Sequence, residues 1–253
     1  MFKLGCDPEC FLMKDGHVIS AIGLIGGSKY EPKPILEEIS KGFALQEDNV
    51  LLEYNIPPAA SFSEFTDNLH IVHRYIDLML ADMGLSRATI ASVSMDPKEL
   101  EDPMAKVFGC EPDFNAWTMR VNPKPKCDDP NFRSAGGHIH IGKPDMVQSQ
   151  AIATVRWLDK KLGAFLLKND PDKERQKLYG APGAMRFKPY GVEYRTPSNW
   201  WTFQPVEILE QIWELIDEAI KRGSNGKILA PVDKGFGPET VLSLEALEKW
   251  EKE

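Results

Sequence analysis

Five pairs of polar residues in this chain are spaced two apart: Asp7 and Glu9, Glu53 and Asn55, His138 and His140, Arg186 and Lys188, and Glu193 and Arg195. Asn49 falls in phase with Glu53. On a β-strand, residues i and i+2 share a face. An ordinary solvated face would mix Lys, Thr, Ser and Gln, whereas these pairs concentrate carboxylates, imidazoles and guanidinium groups. Carboxylates gathered in one cleft repel each other and take up protons, and a divalent cation relieves that conflict. Carboxylate oxygens with a minority of imidazole suit a hard ion, Mg²⁺ or Mn²⁺. A three-histidine zinc site would have to recruit His17, in the first turn, or His70 and His73, on the non-core side of a helix.

The arginines extend this reading. A guanidinium fork grips carboxylate or phosphate bidentately. Metal ligands and forked cations on one face are equipment for phosphoryl transfer from a nucleoside triphosphate. The chain has no GxxxxGK[ST] loop, and Gly26-Gly27-Ser28-Lys29 reads as a plain turn.

Elements must position these groups. Residues 9–14 and 17–22 form a hairpin about Asp15-Gly16, and 49–56, 88–94, 134–141, 184–188 and 192–196 read as strands. A helix starts at Ser61 with Glu64 as a capping box, carries Phe65, Leu69, Val72, Ile76, Leu80 and Met83 at helical spacing, and stops at Gly84. A second is expected over 146–168, with Ile152, Val155, Leu158, Leu162 and Phe165 on one face. A third spans 205–222 between Pro205 and Gly223, and a short charged helix follows Ser243. The pattern predicts an α+β fold around a mostly antiparallel sheet. Trp213 is expected in the core, while Trp200 or Trp201, on the end of a strand, is available to stack on a base. The 107–133 stretch, rich in Pro and Asn, is a candidate lid or an ordinary long connection.

The 253 residues suffice for a sizeable core, and composition gives no place to divide them, so a single domain over 1–253 is expected. Thirty Lys and Arg against 38 Asp and Glu give a net charge of -8, a poor basis for non-specific nucleic-acid binding. No apolar run reaches the roughly 20 residues of a membrane helix. MFKLGCDPE carries no apolar signal region, and Cys6, Cys10, Cys110 and Cys127 form no CxxC, so reduced cysteines and a cytoplasmic setting are expected.

GCDPECF at 5–11, DNVLLEYNIPPA at 48–59, AGGHIHIG at 135–142 and RFKPYGVEYRTPSN at 186–199 together resemble the glutamine-synthetase-like carboxylate-amine ligases, and closely the phage-encoded COOH·NH2 ligases among them. The resemblance spans about 4–201, leaving 202–253 as C-terminal helices. It implies a curved, mostly antiparallel sheet with helices on its outer face. It also implies ATP-dependent amide-bond formation through an acyl phosphate with two divalent ions, in the host cytoplasm if phage-encoded. Asp7, Glu9, Glu53, His138 and Glu193 would be metal ligands, and His140 would face the nucleotide phosphates. Arg195 would bind the substrate carboxylate, and Arg186 would neutralise phosphate. Asn55 and Lys188 carry over on position only. The substrates would be a small-molecule or peptide carboxylate and an amine, with neither nucleic acid nor membrane as partner and the oligomeric state open. The Asp-Pro-Glu form departs from the family pattern, and Pro8 implies an edge or bulge. Two other readings stand beside this one: an inactive nucleotide-binding or structural protein on the same fold, and a two-metal phosphohydrolase.

Overall fold

The computed structural model describes residues 1–106, 113–123 and 125–225. It opens with β1 (Lys3–Cys10) and a hairpin of β2 (Leu12–Lys14) and β3 (His17–Ile19). Asp15 and Gly16 take φ of 49° and 82°, the pair of positive values a tight two-residue turn requires. β4 (Lys33–Pro34), β5 (Ala44–Asp48), β6 (Leu51–Asn55), α1 (Phe62–Asp82), β7 (Ser86–Arg87) and β8 (Ser92–Ser94) follow. Then come β9 (Phe114–Asn115), β10 (Arg120–Val121), β11 (Phe132–Ser134), β12 (Gly137–Gly142), α2 (Gln148–Leu158), α3 (Ala164–Asn169), α4 (Lys173–Leu178), β13 (Ala184–Lys188), β14 (Gly191–Tyr194) and α5 (Val206–Ser224).

Nine strands form one sheet in the order β10-β9-β13-β14-β12-β1-β6-β5-β4, antiparallel at each junction. The α+β architecture with a large antiparallel sheet and peripheral helices matches expectation. The curved sheet does not: this sheet is an open array that neither curls nor closes. Its terminal strands are two residues long and exposed, and Lys33-Pro34 at one end supplies a charge and a missing donor, both of which discourage further pairing.

Pleating gives the sheet two unlike faces. Leu4, Cys6, Cys10, Leu52, Tyr54, Ile139, Ile141, Val192 and Tyr194 are buried against helices. α1 contributes Phe65, Leu69, Val72, Ile76 and Leu80; α2 contributes Val155 and Leu158; α5 contributes Leu209, Ile212, Ile216 and Ile220. Each such side chain stabilises the fold by roughly 1.5–3 kcal/mol. This packing leaves the opposite face free for polar groups.

Local chemistry explains the helix boundaries. The Ser61 hydroxyl accepts the Glu64 N–H at 3.2 Å, but the Glu64 carboxylate reaches back to the Ala60 N–H (2.7 Å), one residue earlier than a capping box predicts. Gly84, at φ 70°, follows the end of α1. The expected 146–168 helix is interrupted: Asp159–Gly163 form a π-turn between α2 and α3. Gly223 does not end the third helix. It lies inside α5, where a Cβ would sit 2.6 Å from the Thr154 backbone of α2. Of 88–94, only Ser92–Ser94 is a strand, paired with β11.

The tryptophan reading is corrected too. Trp200 and Trp201 lie in a 3₁₀ turn (Asn199–Phe203) rather than on a strand. Trp201 is buried, donates to the Gly137 carbonyl at 2.9 Å and stacks on Phe65, so it is committed to the core. Trp213 packs against Phe2, Phe62 and Phe65 as expected. The helix after Ser243 lies outside the described residues.

Gly223→Ala should destabilise the protein by about 2–3 kcal/mol in urea unfolding, because the new methyl group must push α5 off Thr154. An unchanged midpoint would show that the helices tolerate a wider crossing.

Candidate active site

The strand register delivers the polar pairs to one surface. β1 pairs with β12 so that Gly5 faces His140 and Asp7 faces His138. β1 pairs with β6 so that Glu9 faces Glu53. His140 faces Glu193 across β12–β14, and Glu193 faces Arg186 across β13–β14. Directly opposed residues of antiparallel strands share a face, so these groups and their i+2 neighbours Lys188, Arg195 and Asn55 line the side of the sheet away from the helices. Pro8 marks the last pair between β1 and β12 in an interior strand, not an edge. Glycine is required beside the imidazoles: a Cβ on Gly136 would lie 2.7 Å from His138 Nε2, and one on Gly137 would lie 2.3 Å from the Ser198 carbonyl oxygen.

Two groups on this face have ligand atoms close enough to hold a divalent cation: Glu9 with Asp48 and Glu53, and Asp7 with His140 and Glu193. Within each, the atoms lie within 4.8 Å of one another. Their charge balance differs.

In the first group, burial and then the Asp48 charge push the Glu9 carboxyl up to about 8, against the pull of the Gly136 N–H it accepts at 2.6 Å. Burial, followed by the charges of Asp7 and Glu9, raises Glu53 well above the carboxylate range. Burial also raises Asp48. Three oxygen donors whose proton affinity is raised by burial and by one another's charge are a fitting set for a hard cation.

In the second group, protein cations already compensate the acids. Burial would raise Asp7, but His140 and His138 outweigh it and hold the carboxyl far below its usual range. His140 Nε2 is 3.1 Å from Asp7 Oδ2, and His138 Nδ1 is 3.2 Å from Oδ1. Glu193, buried, is held down to about 2; burial and Asp7 oppose this, and Arg195, His138 and His140 prevail. Lys188 Nζ lies 2.7 Å from Glu193, Arg186 lies 3.7 Å away, and Arg195 also bonds it. His138 Nδ1 sits 3.2 Å from both Arg195 and Asp7, so it can accept from one or donate to the other, not both. Burial and then Arg195 lower its pKa, against the pull of Asp7 and Glu193.

Every site residue expected from sequence, from Asp7 to Arg195, is thus on one face. His138 touches Asp7 and Arg195 but belongs to neither three-ligand group, while His140 does. Asn49 leaves the face: at φ 55° in the β5–β6 turn, its amide donates to the carbonyls of Met104 and Ala105. His73 packs inside, its Nε2 2.6 Å from the Tyr54 hydroxyl, and burial lowers it to about 3. The Gly26–Gly27 loop is the plain turn expected; its N–H groups at Ile25 and Gly26 are taken by Glu47.

Sequence reasoning missed three groups. Asp48 completes the all-carboxylate cluster; it stood inside the motif DNVLLEYNIPPA, but the sequence suggested no strand at 44–48, and it is the register of β5, with Gln46 opposite Glu53, that puts Asp48 on this face. Asp113 comes from the candidate lid and lies 2.6 Å from Arg195 Nε and 3.8 Å from Arg186. The described part of that stretch includes β9, which extends the sheet beside β13, so it forms a wall of the site. Tyr190, in the β13–β14 turn, has its hydroxyl 2.8 Å from His140 Nδ1.

Beneath the face, Asp159 ties these parts together. Its carboxylate accepts from the Tyr194 hydroxyl at 2.8 Å and the Trp117 indole at 2.5 Å. Burial raises it to about 7, against those two bonds.

A family model described as Phage phiEco32-like COOH.NH2 ligase-type 2 matches residues 130–221. That span holds His138, His140, Arg186, Lys188, Glu193 and Arg195, but not the acids of β1, β5 and β6. A solved bifunctional glutathione synthetase from Pasteurella multocida shares the fold over 92% of this chain, with a TM-score of 0.50 and 11% identity. This chain covers 41% of that one, and at this identity the likeness is one of fold. No curated protein matches the sequence. The family match covers less than half of the chain, so these findings amount to a partial likeness to a ligase family, a shared fold and two groups of side chains placed so that they could hold a metal ion. Among the described residues no helix is long and apolar enough to cross a membrane.

The raised pKa of Glu9 fixes a pH dependence. The folded state holds this proton more tightly than the unfolded chain, so its contribution to stability is present below about 4.5 and lost as pH rises through about 8. The melting temperature of the metal-free protein should fall across that window, and Glu9→Gln should flatten the fall. Added Mg²⁺ should restore more stability at pH 8.5 than at pH 6. Equal Mg²⁺ shifts at both pH values would show that the ion does not compete with these protons.

Proposed function

We propose that this chain is an ATP-dependent carboxylate-amine ligase that works through an acyl phosphate, as a single unit over 1–253. The observation that carries the reading is an all-carboxylate cluster, Glu9-Asp48-Glu53, on the same sheet face as the cationic group Arg186, Lys188 and Arg195. Phosphoryl transfer calls for cations around the triphosphate and fixed positive groups around the acceptor. Divalent ions, Mg²⁺ or Mn²⁺, held by the two clusters would offset the charge of the triphosphate.

The remaining steps fall to side chains. Arg195, held by Asp113 and Glu193, is fixed in place before a substrate carboxylate arrives, so little rotamer freedom is lost when it exchanges a partner for substrate. A substrate carboxylate oxygen attacks the terminal phosphorus, and the bond from that phosphorus to the ADP oxygen breaks. Arg186 and Lys188 lie where they would stabilise the transferring charge. The amine then attacks the acyl carbon, the carbon–oxygen bond to phosphate breaks, and a carboxylate on the face accepts the amine's surplus proton. The substrates in this reading are a small-molecule or peptide carboxylate and an amine.

Purified protein with ATP, Mg²⁺, an oxygen-18 carboxylate and an amine should release ADP together with phosphate carrying one labelled oxygen. ADP formed without label in phosphate would mean hydrolysis by water and would remove the acyl phosphate. Glu53→Ala should abolish turnover with the fold intact. Arg195→Lys should raise the KM for the carboxylate roughly tenfold or more, since a charged hydrogen bond contributes about 1.5–3 kcal/mol, and should leave the KM for ATP little changed. Equal shifts in both would take Arg195 out of carboxylate binding.

A further inference from the structure

A cavity of about 490 Å³ lies at the end of the sheet where β13 begins and the chain leaves β14, and Asp113 stands in its wall. Asp113 is also the carboxylate 2.6 Å from Arg195 Nε. We infer that this cavity takes the body of the carboxylate substrate, and that this substrate is a peptide with a free C-terminus. The inference rests on the ligase reading and deepens it by naming the class of acid that is activated.

The cavity wall and the guanidinium fork share one stretch of chain. The Arg195 N–H donates to the Ala184 carbonyl at 2.9 Å, and the next three residues, Thr196, Pro197 and Ser198, run into the wall. Buried Arg175 holds that stretch by donating to the Thr196 and Pro197 carbonyls at 3.3 and 3.1 Å. The Ser198 hydroxyl donates to buried Asp170 at 2.6 Å. These buried charges keep the wall in shape. Asp113 marks the path to the fork: a carboxylate anchored beside the cavity already reaches Arg195, so a substrate carboxylate arriving from the same side can take its place.

Size and lining select the class of substrate. The volume falls within the roughly 300–1,000 Å³ that encloses a drug-sized molecule. A free amino acid would leave most of it to water held against Leu166, Leu178 and Pro182. An extended chain of several residues fills it instead, with apolar side chains on these groups and backbone amides beside Asn122, Gln176 and Tyr179. At the rim Pro123, Lys177 and Ala181 are exposed, so the chain can continue into solvent.

The test traps the activated acid with hydroxylamine, in ATP and Mg²⁺, and reads the products by mass spectrometry. The hydroxylamine nitrogen attacks the acyl carbon and gives up a proton, the carbon–oxygen bond to phosphate breaks, and a hydroxamate remains. Two pools are compared: N-acetylated tetrapeptides free of Asp and Glu, and the free amino acids. Wild-type protein should form hydroxamates from the peptides at least roughly a hundredfold faster, because contacts remote from the reacting carboxylate are lost on truncation. Ala181→Trp and Lys177→Trp narrow the cavity from exposed positions, and each should cut that preference about tenfold or more; the second covers the case of the first failing to fold. Hydroxamates from free amino acids at an equal or greater rate would overturn the inference and leave the ligase reading standing. A peptide preference that both folded variants keep in full would also overturn it, by putting the chain elsewhere. No hydroxamate from either pool would bring down the ligase reading, and the inference with it.

Discussion

Like-charge repulsion among Glu9, Asp48 and Glu53, the first and last buried and Asp48 half-buried on one sheet face, is the constraint around which the molecule is arranged. Removing a carboxylate from water costs several kcal/mol even after relaxation. Crowding three of them leaves two remedies, protons or a cation. The apolar packing of the opposite face supplies the stability that lets such a cluster persist. The second group, around Asp7 and Glu193, shows the contrasting solution, in which imidazole, lysine and arginine compensate the acids from within the protein. One face therefore combines a site short of positive charge with a site supplied with it. A polyanionic reactant and a carboxylate acceptor need such an asymmetric surface.

Antiparallel pairing is what makes the arrangement rigid. Glu53, His140 and Glu193 are fixed by the ladder on both sides of their strands, and Asp7 and His138 by pairing with each other, so their positions depend on register rather than on loop conformation. A slip of one residue in β12 would exchange His138 and His140 for Ile139 and Ile141, burying imidazoles under the helices and exposing isoleucine. The glycines at 136 and 137 belong to this requirement, since the backbone entering β12 passes too close to His138 and Ser198 to carry side chains.

Much of this was legible in the sequence because strands announce themselves with a period of two. Asp7 and Glu9, His138 and His140, and Glu193 and Arg195 declared both their strand and their shared face. α1 was legible from its apolar spacing and its Ser61 cap. What stayed hidden depends on contacts distant along the chain. Asp48 and Asn49 are neighbours with similar side chains, but Asp48 ends β5, whose register puts it on the Glu53 face, while Asn49 takes the turn and bonds toward Met104. Asp113 and Tyr190 reach the site from a connection and a turn, where no periodicity operates. Gly223 reads like a helix stop, and only the approach of Thr154 explains it. Sheet curvature is likewise a property of how strands twist and pack together, which no single strand's residue pattern records.

The π-turn at Asp159–Gly163 has a consequence for the whole scaffold. It accommodates one more residue than an α-helical turn, and each residue advances the helical phase by about 100°. Asp159, the first residue of the turn, continues directly from α2 and sits between Tyr194 and Trp117, while the surplus resets the phase of the helix beyond it. Those two side chains belong to the segments that carry Glu193 and Asp113, so the helix behaves as a calliper, setting the gap between a strand and the wall beside it.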